Sequence, residues 1–418
     1  MQKKCINVYY YGIMLVEGGI TMLIDYTVKG YKVFSEETYF SMESDNYIKS
    51  HKENIFSLGK VNLVKSAIIY GPNNTGKSTF ISSIKLLKAL VLETITVREA
   101  TRDNNIYNLY LPITDRVIEF NIKFLLDGDI LSYTLFIKYN IGIIKESLAV
   151  NDNYIFDTND ITNTKDEIKS LIEVYESYKD KLIISTLPKE YMQYTEKIKK
   201  MFENIVIFND NIVDGETFNN FNMNGVYDFL SSSSKKEIDL FNKAINQADI
   251  SIDEIKPARE ELDISNSLKI NSVHSKNGKK VEVPSIFVES DGSKRYMRYI
   301  AQIIKAFEVG KIILIDEIDN SLHTILTRSL ISLFNSENNT NTQLIASSHD
   351  LLLLDTENLF RKDQIWFIYK DKEEIYLYSL DDINDNEGAR NKTMTSYLKG
   401  MFGALPNPNI GDLFDEKK

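Results

Sequence analysis

The sequence has little of what a secreted, membrane-spanning or nucleic-acid-coating protein needs. Its 418 residues include a single cysteine, Cys5, so no internal disulfide can form and a reducing, cytoplasmic setting is expected. No apolar run approaches the roughly 18–20 residues of a membrane span, so no membrane partner is expected. The 49 Lys and Arg are outnumbered by 60 Asp and Glu, giving a net charge of −11. This balance disfavours a generally basic surface but leaves a local basic patch open.

Residues 1–21 differ in character from the rest of the chain. Tyr9–Val16 weakly resembles the apolar part of a signal peptide, but no small-residue cleavage site comes after it. Glu17-Gly18-Gly19 can be encoded by a purine-rich ribosome-binding sequence a few codons before Met22. We therefore expect the natural chain to begin at Met22 and residues 1–21 to be a non-native or disordered extension.

A glycine-rich loop carries the strongest chemical signal in the chain. It fits the pattern Gly, four residues, Gly-Lys-Ser/Thr, and its residues are Gly71, Pro72, Asn73, Asn74, Thr75, Gly76, Lys77, Ser78 and Thr79. The preceding run 67–70 is typical of a buried strand, and apolar residues at helical spacing come after the loop. An ordinary glycine turn is the alternative. In a phosphate-binding P-loop, Lys77 would reach the β- and γ-phosphates of ATP and Ser78 would ligate Mg²⁺.

A second signal lies at Asp316-Glu317. These acids come directly after the apolar run Ile312–Ile315, which is typical of a strand buried on both faces. Ligands bind at the carboxyl ends of such strands. Asp316 is placed to complete the Mg²⁺ shell, and Glu317 is placed to orient and deprotonate an attacking water. The alternative is a carboxylate pair that caps the next helix.

Two further segments are candidates for contacts with phosphate. His349 lies just after the predicted strand Gln343–Ala346, where it can touch the γ-phosphate, although a plain loop histidine is the alternative. Ser290, Asp291 and Gly292 precede an apolar helical stripe that Gly310 can end. They therefore lie at a predicted helix N-terminus, which favours anions, but the segment alone is more typical of an ordinary N-cap.

The remaining patterns predict an α/β fold in several parts. Alternating residues predict strands near 24–28 and 38–42, and a hairpin at 117–124 and 131–139 with an Asp-Gly turn. The polar stretch 98–107 is predicted as a loop, and capping boxes at Thr164 and Ser234 predict helices. We expect an ATPase head in two parts, 22–155 with the P-loop and a β-lobe and 256–418 with the later motifs, separated by a helical insertion at 156–255.

Together the motifs resemble a known family. Their order is similar to that of the ABC-type ATPase heads of the SMC and RecF group. The likeness is greatest to bacterial AAA-family ATPases of the abortive-infection and OLD-like kind, often found beside a separate effector gene such as a RloB-like protein. It extends to further segments, which are 289–295, 316–323, 361–367, 397–400 and 402–406. The resemblance implies a P-loop NTPase fold with an ABC-type head, built from a mixed sheet and a β-lobe and interrupted by the helical insertion.

The resemblance also implies roles for matching positions. Ser290 and Gly292 would complete the γ-phosphate site of the opposite subunit in a head-to-tail dimer, with Asp319 at the dimer seam. Glu317 would be the catalytic base and His349 the γ-phosphate sensor. Family members often carry an Arg in the early strand-turn segment, where this chain has Lys32, which cannot make the same planar fork. No glutamine matches the loop that couples nucleotide to partner.

The leading functional hypothesis is an ATPase switch that uses ATP and Mg²⁺. ATP would join two heads into a homodimer or higher homo-oligomer, and the state would pass to a separate effector, a nuclease or toxin, in anti-phage defence. The segment after His349 lacks the acidic and glycine motif of OLD nucleases. The alternative is an ATP-gated DNA-binding protein of the SMC and RecF kind, and a transporter subunit is a third, weaker possibility.

Overall fold

The computed structural model describes residues 20–175, 179–208, 212–213, 216–217, 223–248, 251–258, 269–276, 278–371, 374–383, 393–400 and 402. The strands are β1 Thr21–Lys29, β2 Thr38–Ser41, β3 Ile55–Ser57, β4 Asn62–Val64, β5 Ser66–Tyr70, β6 Val117–Leu126, β7 Asp129–Lys138, β8 Gly142–Val150, β9 Asn153–Asp157, β10 Ile205–Phe208, β11 Ile212–Val213, β12 Glu216–Thr217, β13 Glu254–Pro257, β14 Ile270–Lys276, β15 Lys279–Pro284, β16 Ile312–Ile315, β17 Gln343–Ser348, β18 Ile365–Asp371 and β19 Glu374–Ser379. The helices are α1 Lys77–Val91, α2 Val97–Arg102, α3 Asp166–Tyr175, α4 Met192–Glu203, α5 Asn224–Ser232, α6 Lys235–Gln247, α7 Ser285–Val288, α8 Asp291–Val309, α9 Thr324–Phe334 and α10 Thr393–Leu398.

One six-stranded sheet is antiparallel and has the order β2-β1-β6-β7-β8-β9. Its β6–β7 hairpin turns at Asp127 and Gly128, which both have positive φ. Asp-Gly suits such a two-residue turn, so the hairpin predicted from the sequence is confirmed. This sheet forms the β-lobe.

The second six-stranded sheet has the order β10-β16-β17-β5-β18-β19 and is parallel apart from its last pair. Its strands are short apolar runs, as expected for a sheet covered on both faces. Registers pair Tyr70 with Ser348 and Ile315 with Ala346, so β5, β16 and β17 end at the same edge. The segments that leave these three strands must therefore meet there.

Helices cover the two faces of this parallel sheet with separate cores. Phe80, Ile84 and Leu87 of α1 pack in the core that holds Leu314 and Ile345. Helices α5, α6, α8 and α9 pack in the other core, with Ile313, Ile315 and Leu344. Successive residues of a strand point to opposite faces, so α1 and α8 lie on opposite sides of the sheet.

The structure changes three details of the expected organisation. The stretch 98–107 begins with a helix, α2, because Thr96 and Glu99 form a capping box that the polar composition hid. Thr21 is the first residue of β1, pairs with Leu126 and is buried, while residues 1–19 lie outside the described part. Within the predicted insertion 156–255, β10 pairs in parallel with β16 and is therefore an edge strand of the parallel sheet. The domain boundaries themselves stay a prediction.

Within the described residues, no helix is both long and apolar enough to cross a bilayer.

The family-like segment 397–400 lies in and after α10, and Phe402 stacks on Phe367. Residues 403–406 of the same likeness lie outside the described residues.

Candidate functional site

The glycine-rich loop joins β5 to α1 and has the geometry of a phosphate cradle. Gly76 precedes α1 with φ 114°, a value that favours glycine, and Asn74 is also left-handed. Thr75 Oγ1 donates to the Pro72 carbonyl at 2.8 Å and closes the loop on itself. A side chain at Gly71 would meet the Ile368 carbonyl oxygen at 2.4 Å, so only glycine fits between loop and β18. No side-chain hydrogen bond caps the N-terminus of α1 at Gly76, which suits the binding of an anion there.

Lys77 is buried at the start of α1 and folds back on the loop. Its Nζ donates to the carbonyl oxygens of Gly71 and Pro72, each at 2.8 Å. Burial lowers the pKa of Lys77 to about 8, and the carboxylates of Asp316, Glu317 and Asp319 oppose that shift. The ammonium group is held by weak neutral acceptors and faces three acids, an arrangement that phosphate oxygens can improve.

Asp316 and Glu317 come directly after β16 and are tied to β17 by one hydroxyl. Ser347 Oγ donates to Asp316 Oδ1 at 2.6 Å and accepts from the Glu317 backbone N–H at 2.8 Å. The Ile318 N–H donates to the Ser347 carbonyl at 3.0 Å. Glu317 has φ 52°, a left-handed conformation that costs energy in a residue other than glycine. The buried Ser347 therefore holds both acids while the backbone turns between them.

His349 lies after β17 on the same edge. Its Nε2 lies 3.9 Å from Glu317 Oε1, and its backbone N–H approaches both oxygens of Asp319 at 3.2 and 3.3 Å. Burial lowers the pKa of His349 below its ordinary value, the Lys77 charge lowers it further, and Asp319, Glu317 and Asp316 oppose the shift. The neutral imidazole is thus favoured beside the acids. The structure brings the predicted Lys77, Asp316, Glu317, Asp319 and His349 to one edge.

Ser290 and Gly292 lie at the start of α8. Ser290 is its N-cap and accepts from the Ser293 N–H at 3.1 Å, as the N-cap alternative requires. A Cβ at Gly292 would meet the Ser321 carbonyl oxygen at 2.3 Å, so this helix start packs against the segment after Asp319. Arg295 reinforces the contact by donating to the Asn320 carbonyl at 3.2 Å. Helices α8 and α1 cover opposite faces of the parallel sheet, so this helix start and the P-loop belong to elements on different faces.

Lys32 lies in the turn after β1 and is exposed. It has φ 48°, and its ammonium group sits 5.3 Å from the Tyr31 ring centre. The next two residues touch the phosphate loop, since a Cβ at Gly76 would meet Val33 at 3.2 Å and Phe34 at 3.3 Å. The turn is thus beside the P-loop, and a role of Lys32 in nucleotide binding stays a prediction.

The residues present suit a magnesium ion shared with nucleotide phosphates. Among the described residues no cluster of three or more His, Cys, Asp or Glu could hold a metal alone. A site built from the Ser78 hydroxyl, Asp316 and phosphate oxygens needs no such cluster. Asp316 is a buried carboxylate at the sheet edge, and Ser78 begins α1 beside Lys77. The donor set therefore fits Mg²⁺ when ATP supplies the remaining oxygens.

Ser347 is the residue of this site that the sequence did not single out. It stands directly before Ser348-His349, so its position was visible, but a serine at a strand end has many uses. Only the parallel pairing of β16 with β17 places its hydroxyl between Asp316 and the Glu317 N–H. The same holds for Val33 and Phe34, whose packing on Gly76 depends on how the β-lobe docks.

Comparison with solved structures gives distant likenesses. The SMC head domain from Thermotoga maritima is 14% identical, with a TM-score of 0.42 and coverage of 86% of this chain and 98% of that one. An SmcHead bound to the C-winged helix domain of ScpA is 15% identical, with a TM-score of 0.45 and coverage of 86% of this chain and 97% of that one. The third structure is an Smc head with an extended coiled coil, bound to the C-terminal domain of ScpA derived from Pyrococcus furiosus. It is 12% identical, with a TM-score of 0.43 and coverage of 92% of this chain and 99% of that one. None of the curated proteins compared with the chain matches it.

The chain's own topology has the form of an ABC-type ATPase head. A P-loop comes after β5, an Asp-Glu pair after β16 and a histidine after β17, and an antiparallel β-lobe adjoins the parallel sheet. The family model for an AAA domain described as putative AbiEii toxin, Type IV TA system, matches residues 66–355. That range spans well over half of the sequence and contains every one of these motifs. The protein therefore belongs to this family of AAA domains, and its fold is that of a P-loop ATPase head.

Proposed function

We propose that the protein is an ATP-hydrolysing switch. Two copies of the chain would join their heads around ATP and part after hydrolysis, and this cycle would control a separate effector in anti-phage defence. The observation that carries the proposal is that the two halves of the expected site belong to elements on opposite faces of the sheet. Lys77, Asp316, Glu317 and His349 meet at one sheet edge, whereas Ser290 and Gly292 start a helix on the other face. A head-to-tail pair of chains would bring the halves together.

Each half supplies a different part of the chemistry. Backbone N–H groups of the P-loop and the Lys77 ammonium would hold the phosphates, and magnesium bound through Ser78 and Asp316 would neutralise their charge. Glu317, held in its left-handed conformation and 3.9 Å from the His349 ring, would orient the attacking water and accept its proton. The partner's helix N-terminus, capped by its Ser290, would add N–H donors opposite the γ-phosphate.

The first test is the solution mass of Glu317→Gln, with and without ATP and Mg²⁺, by light scattering on a sizing column. Hydrolysis blocked at the base should trap the joined state, so we expect the mass to double with ATP. Lys77→Ala in the same background is the matched control and should stay monomeric because it lacks the phosphate anchor. A Glu317→Gln protein that stays monomeric at saturating ATP would overturn the composite site.

The role of Glu317 has a separate readout. General-base catalysis contributes about 10²–10⁴-fold, so Glu317→Gln should lose that factor in steady-state phosphate release while nucleotide still binds. Asn320→Ala is a suitable comparison, because Asn320 Nδ2 lies 3.4 Å from Glu317 Oε2 and orients it without being a base. It should lose far less activity. Unchanged hydrolysis in Glu317→Gln would remove that residue from the role.

The defence role rests on the family description, which refers to a toxin of a type IV toxin–antitoxin system. Its test is plating efficiency of phage on cells that express the chain with its native gene neighbours. Protection should require the wild-type chain and be lost with Lys77→Ala or Glu317→Gln at equal protein levels. Equal protection by the wild-type chain and both variants would show that defence does not depend on the ATPase cycle.

A further inference from the structure

An exposed apolar loop lies beside the phosphate-binding edge. In residues 109–113, here called the Tyr110 loop, Leu109 is 58% exposed, Tyr110 75% and Ile113 60%. Contiguous exposed apolar side chains of this kind mark interaction surfaces more often than scattered single ones. No step of the proposed hydrolysis uses these residues, so the exposure needs another explanation.

The Tyr110 loop is fixed to the turn that packs on the P-loop. The Asn108 N–H donates to the Gly30 carbonyl at 2.9 Å, and the Lys32 N–H donates to the Ile106 carbonyl at 3.0 Å. The same turn continues into Val33 and Phe34, which face Gly76. The apolar loop therefore borders the P-loop half of the composite site.

Local hydrogen bonds hold the shape of the Tyr110 loop. The buried Asn108 accepts the Tyr110 N–H on its side chain at 2.9 Å, and Arg116 Nε donates to the Leu111 carbonyl at 3.1 Å. The apolar side chains are thus presented outward by an ordered backbone. A surface ordered before binding loses less entropy on association.

A second apolar patch borders the other half-site. Phe287 is 75% exposed and Val288 50% exposed on α7, which ends just before the Ser290 cap of α8. The inner side of α7 is fixed to the protein, because Ile286 is buried and Ser285 Oγ accepts a hydrogen bond from Ser272 Oγ at 2.8 Å. Its two outward side chains, here called the Phe287 patch, therefore stand at a fixed place beside the half-site of α8.

The two surfaces carry opposite charges at their edges. The exposed Lys32 cation flanks the Tyr110 loop. Asp291, whose side chain is 68% exposed and 3.3 Å from Lys294, flanks the Phe287 patch. Charges of opposite sign beside matching apolar surfaces favour one pairing over self-association of either surface.

We propose that the Tyr110 loop of one copy packs on the Phe287 patch of a second copy, with Lys32 facing Asp291. The inference rests on the proposed head-to-tail dimer, in which each P-loop faces the other chain's Ser290 segment, so that the structures bordering the two halves meet. Two-fold symmetry makes the contact twice. The apolar contacts then stabilise the ATP-joined state from outside the nucleotide site.

The test is cross-linking between two single-cysteine proteins in a Cys5→Ser, Glu317→Gln background. Tyr110→Cys and Phe287→Cys chains are mixed with ATP and Mg²⁺ and treated with a short bis-maleimide, and covalent dimer is read on a denaturing gel. The mixture should cross-link only with ATP, and neither protein should do so alone. Tyr47→Cys mixed with Phe287→Cys is the matched control, because Tyr47 is 89% exposed, more than Tyr110, but lies in another loop.

Light scattering on the same samples distinguishes a failure of the proposed surface pairing from a failure of the ATP-dependent dimer. A dimer that forms with ATP but gives no Tyr110–Phe287 cross-link overturns the pairing and leaves the composite site standing, whereas failure to dimerise overturns the proposed function itself. A charge change gives a second check. Lys32→Asp should weaken ATP-driven dimerisation about tenfold while the affinity for ATP changes little, and an equal loss of ATP affinity would assign Lys32 to nucleotide binding instead of the pairing.

Discussion

At the level of single residues, Lys77 determines how nucleotide binding depends on pH. Its pKa is lowered by burial from 10.5 to about 8, so near pH 8 about half of the empty protein carries a neutral amine. Bound phosphates add negative charge close to the ammonium and raise its pKa again. Nucleotide binding therefore favours the protonated form of Lys77. The affinity for ATP should be highest below about pH 8 and should fall as the pH rises above it.

We predict that ATP binding takes up a proton in a pH-dependent way. Uptake should be small well below pH 8 and should grow as the pH rises through about 8, as expected for a group with a pKa near 8 in the empty site. Calorimetry in two buffers of different ionisation enthalpy measures it directly. Lys77→Arg is the control, because arginine stays charged and should show no such uptake. Equal uptake by both proteins would assign the proton to another group.

Ser347 lies in β17, two residues before His349, and its hydroxyl positions Asp316 and Glu317. Its hydroxyl spans Asp316 and the Glu317 N–H, at 2.6 and 2.8 Å, and both bonds support a strained backbone. Without that hydroxyl a buried carboxylate loses a donor and the Glu317 turn loses its acceptor. Unsatisfied buried groups cost about 1–3 kcal/mol each, so the turn should relax.

Ser347→Ala should therefore lower kcat for ATP about 10- to 100-fold with little change in KM, since the phosphate loop is untouched. Ser348→Ala is the matched control, because its neighbouring hydroxyl accepts the Asp350 N–H at 3.0 Å and, among the described residues, makes no hydrogen bond to Asp316 or Glu317. Ser347→Thr, which keeps the hydroxyl, should recover part of the loss. A KM effect as large as the kcat effect would assign Ser347 to binding instead.

At the level of secondary-structure elements, the start of α8 depends on close packing. Gly292 lets the helix approach the Ser321 carbonyl, which in turn lies just after Asp319 at the end of the Asp-Glu segment. The two segments of the proposed dimer face are thus packed against each other within one chain. A shift of either would move both.

Gly292→Ala should destabilise the protein, because its Cβ would meet a backbone oxygen at 2.3 Å that no side-chain rotation can clear. We expect a loss of about 1–3 kcal/mol in the free energy of unfolding, measured in urea. Gly225→Ala is a matched helical control. Its Cβ would meet only the Gln302 side chain at 3.5 Å, so it should be neutral or stabilising by up to about 1 kcal/mol. Equal effects at both glycines would contradict the packing argument.

Most elements near the site could be predicted from sequence because their signals are local. A glycine loop between an apolar run and a helical stripe, or a Ser cap ahead of α8, needs no distant partner. Strand β10 could not be found this way, since Ile205–Phe208 gains its place only by pairing with β16 across more than 100 residues. For the same reason Ser347 was visible as a residue but not as a link between the acids.

At the level of the whole molecule, buried amides join the parallel sheet to the segments that pack against it. Gln343 of β17 accepts the Leu23 N–H at 2.7 Å and donates to the Leu23 carbonyl at 3.0 Å, much as a neighbouring strand would. Gln364 donates to the Ser66 carbonyl at 2.9 Å and accepts from Asn54 at 2.7 Å. Both glutamines are fully buried. Gln343 therefore joins the β-lobe to the parallel sheet at a fixed point in the core.

We predict that Gln343→Met, which keeps length and removes the amide, leaves the Leu23 N–H and carbonyl without these partners in a dry core. Each such group costs about 1–3 kcal/mol, so the free energy of unfolding should fall by about 2–4 kcal/mol. Exposed Gln247→Met is the control and should stay within about 0.5 kcal/mol of wild type. Urea unfolding followed by circular dichroism measures both. A wild-type midpoint for Gln343→Met would mean that apolar contacts alone fix the docking of the two sheets.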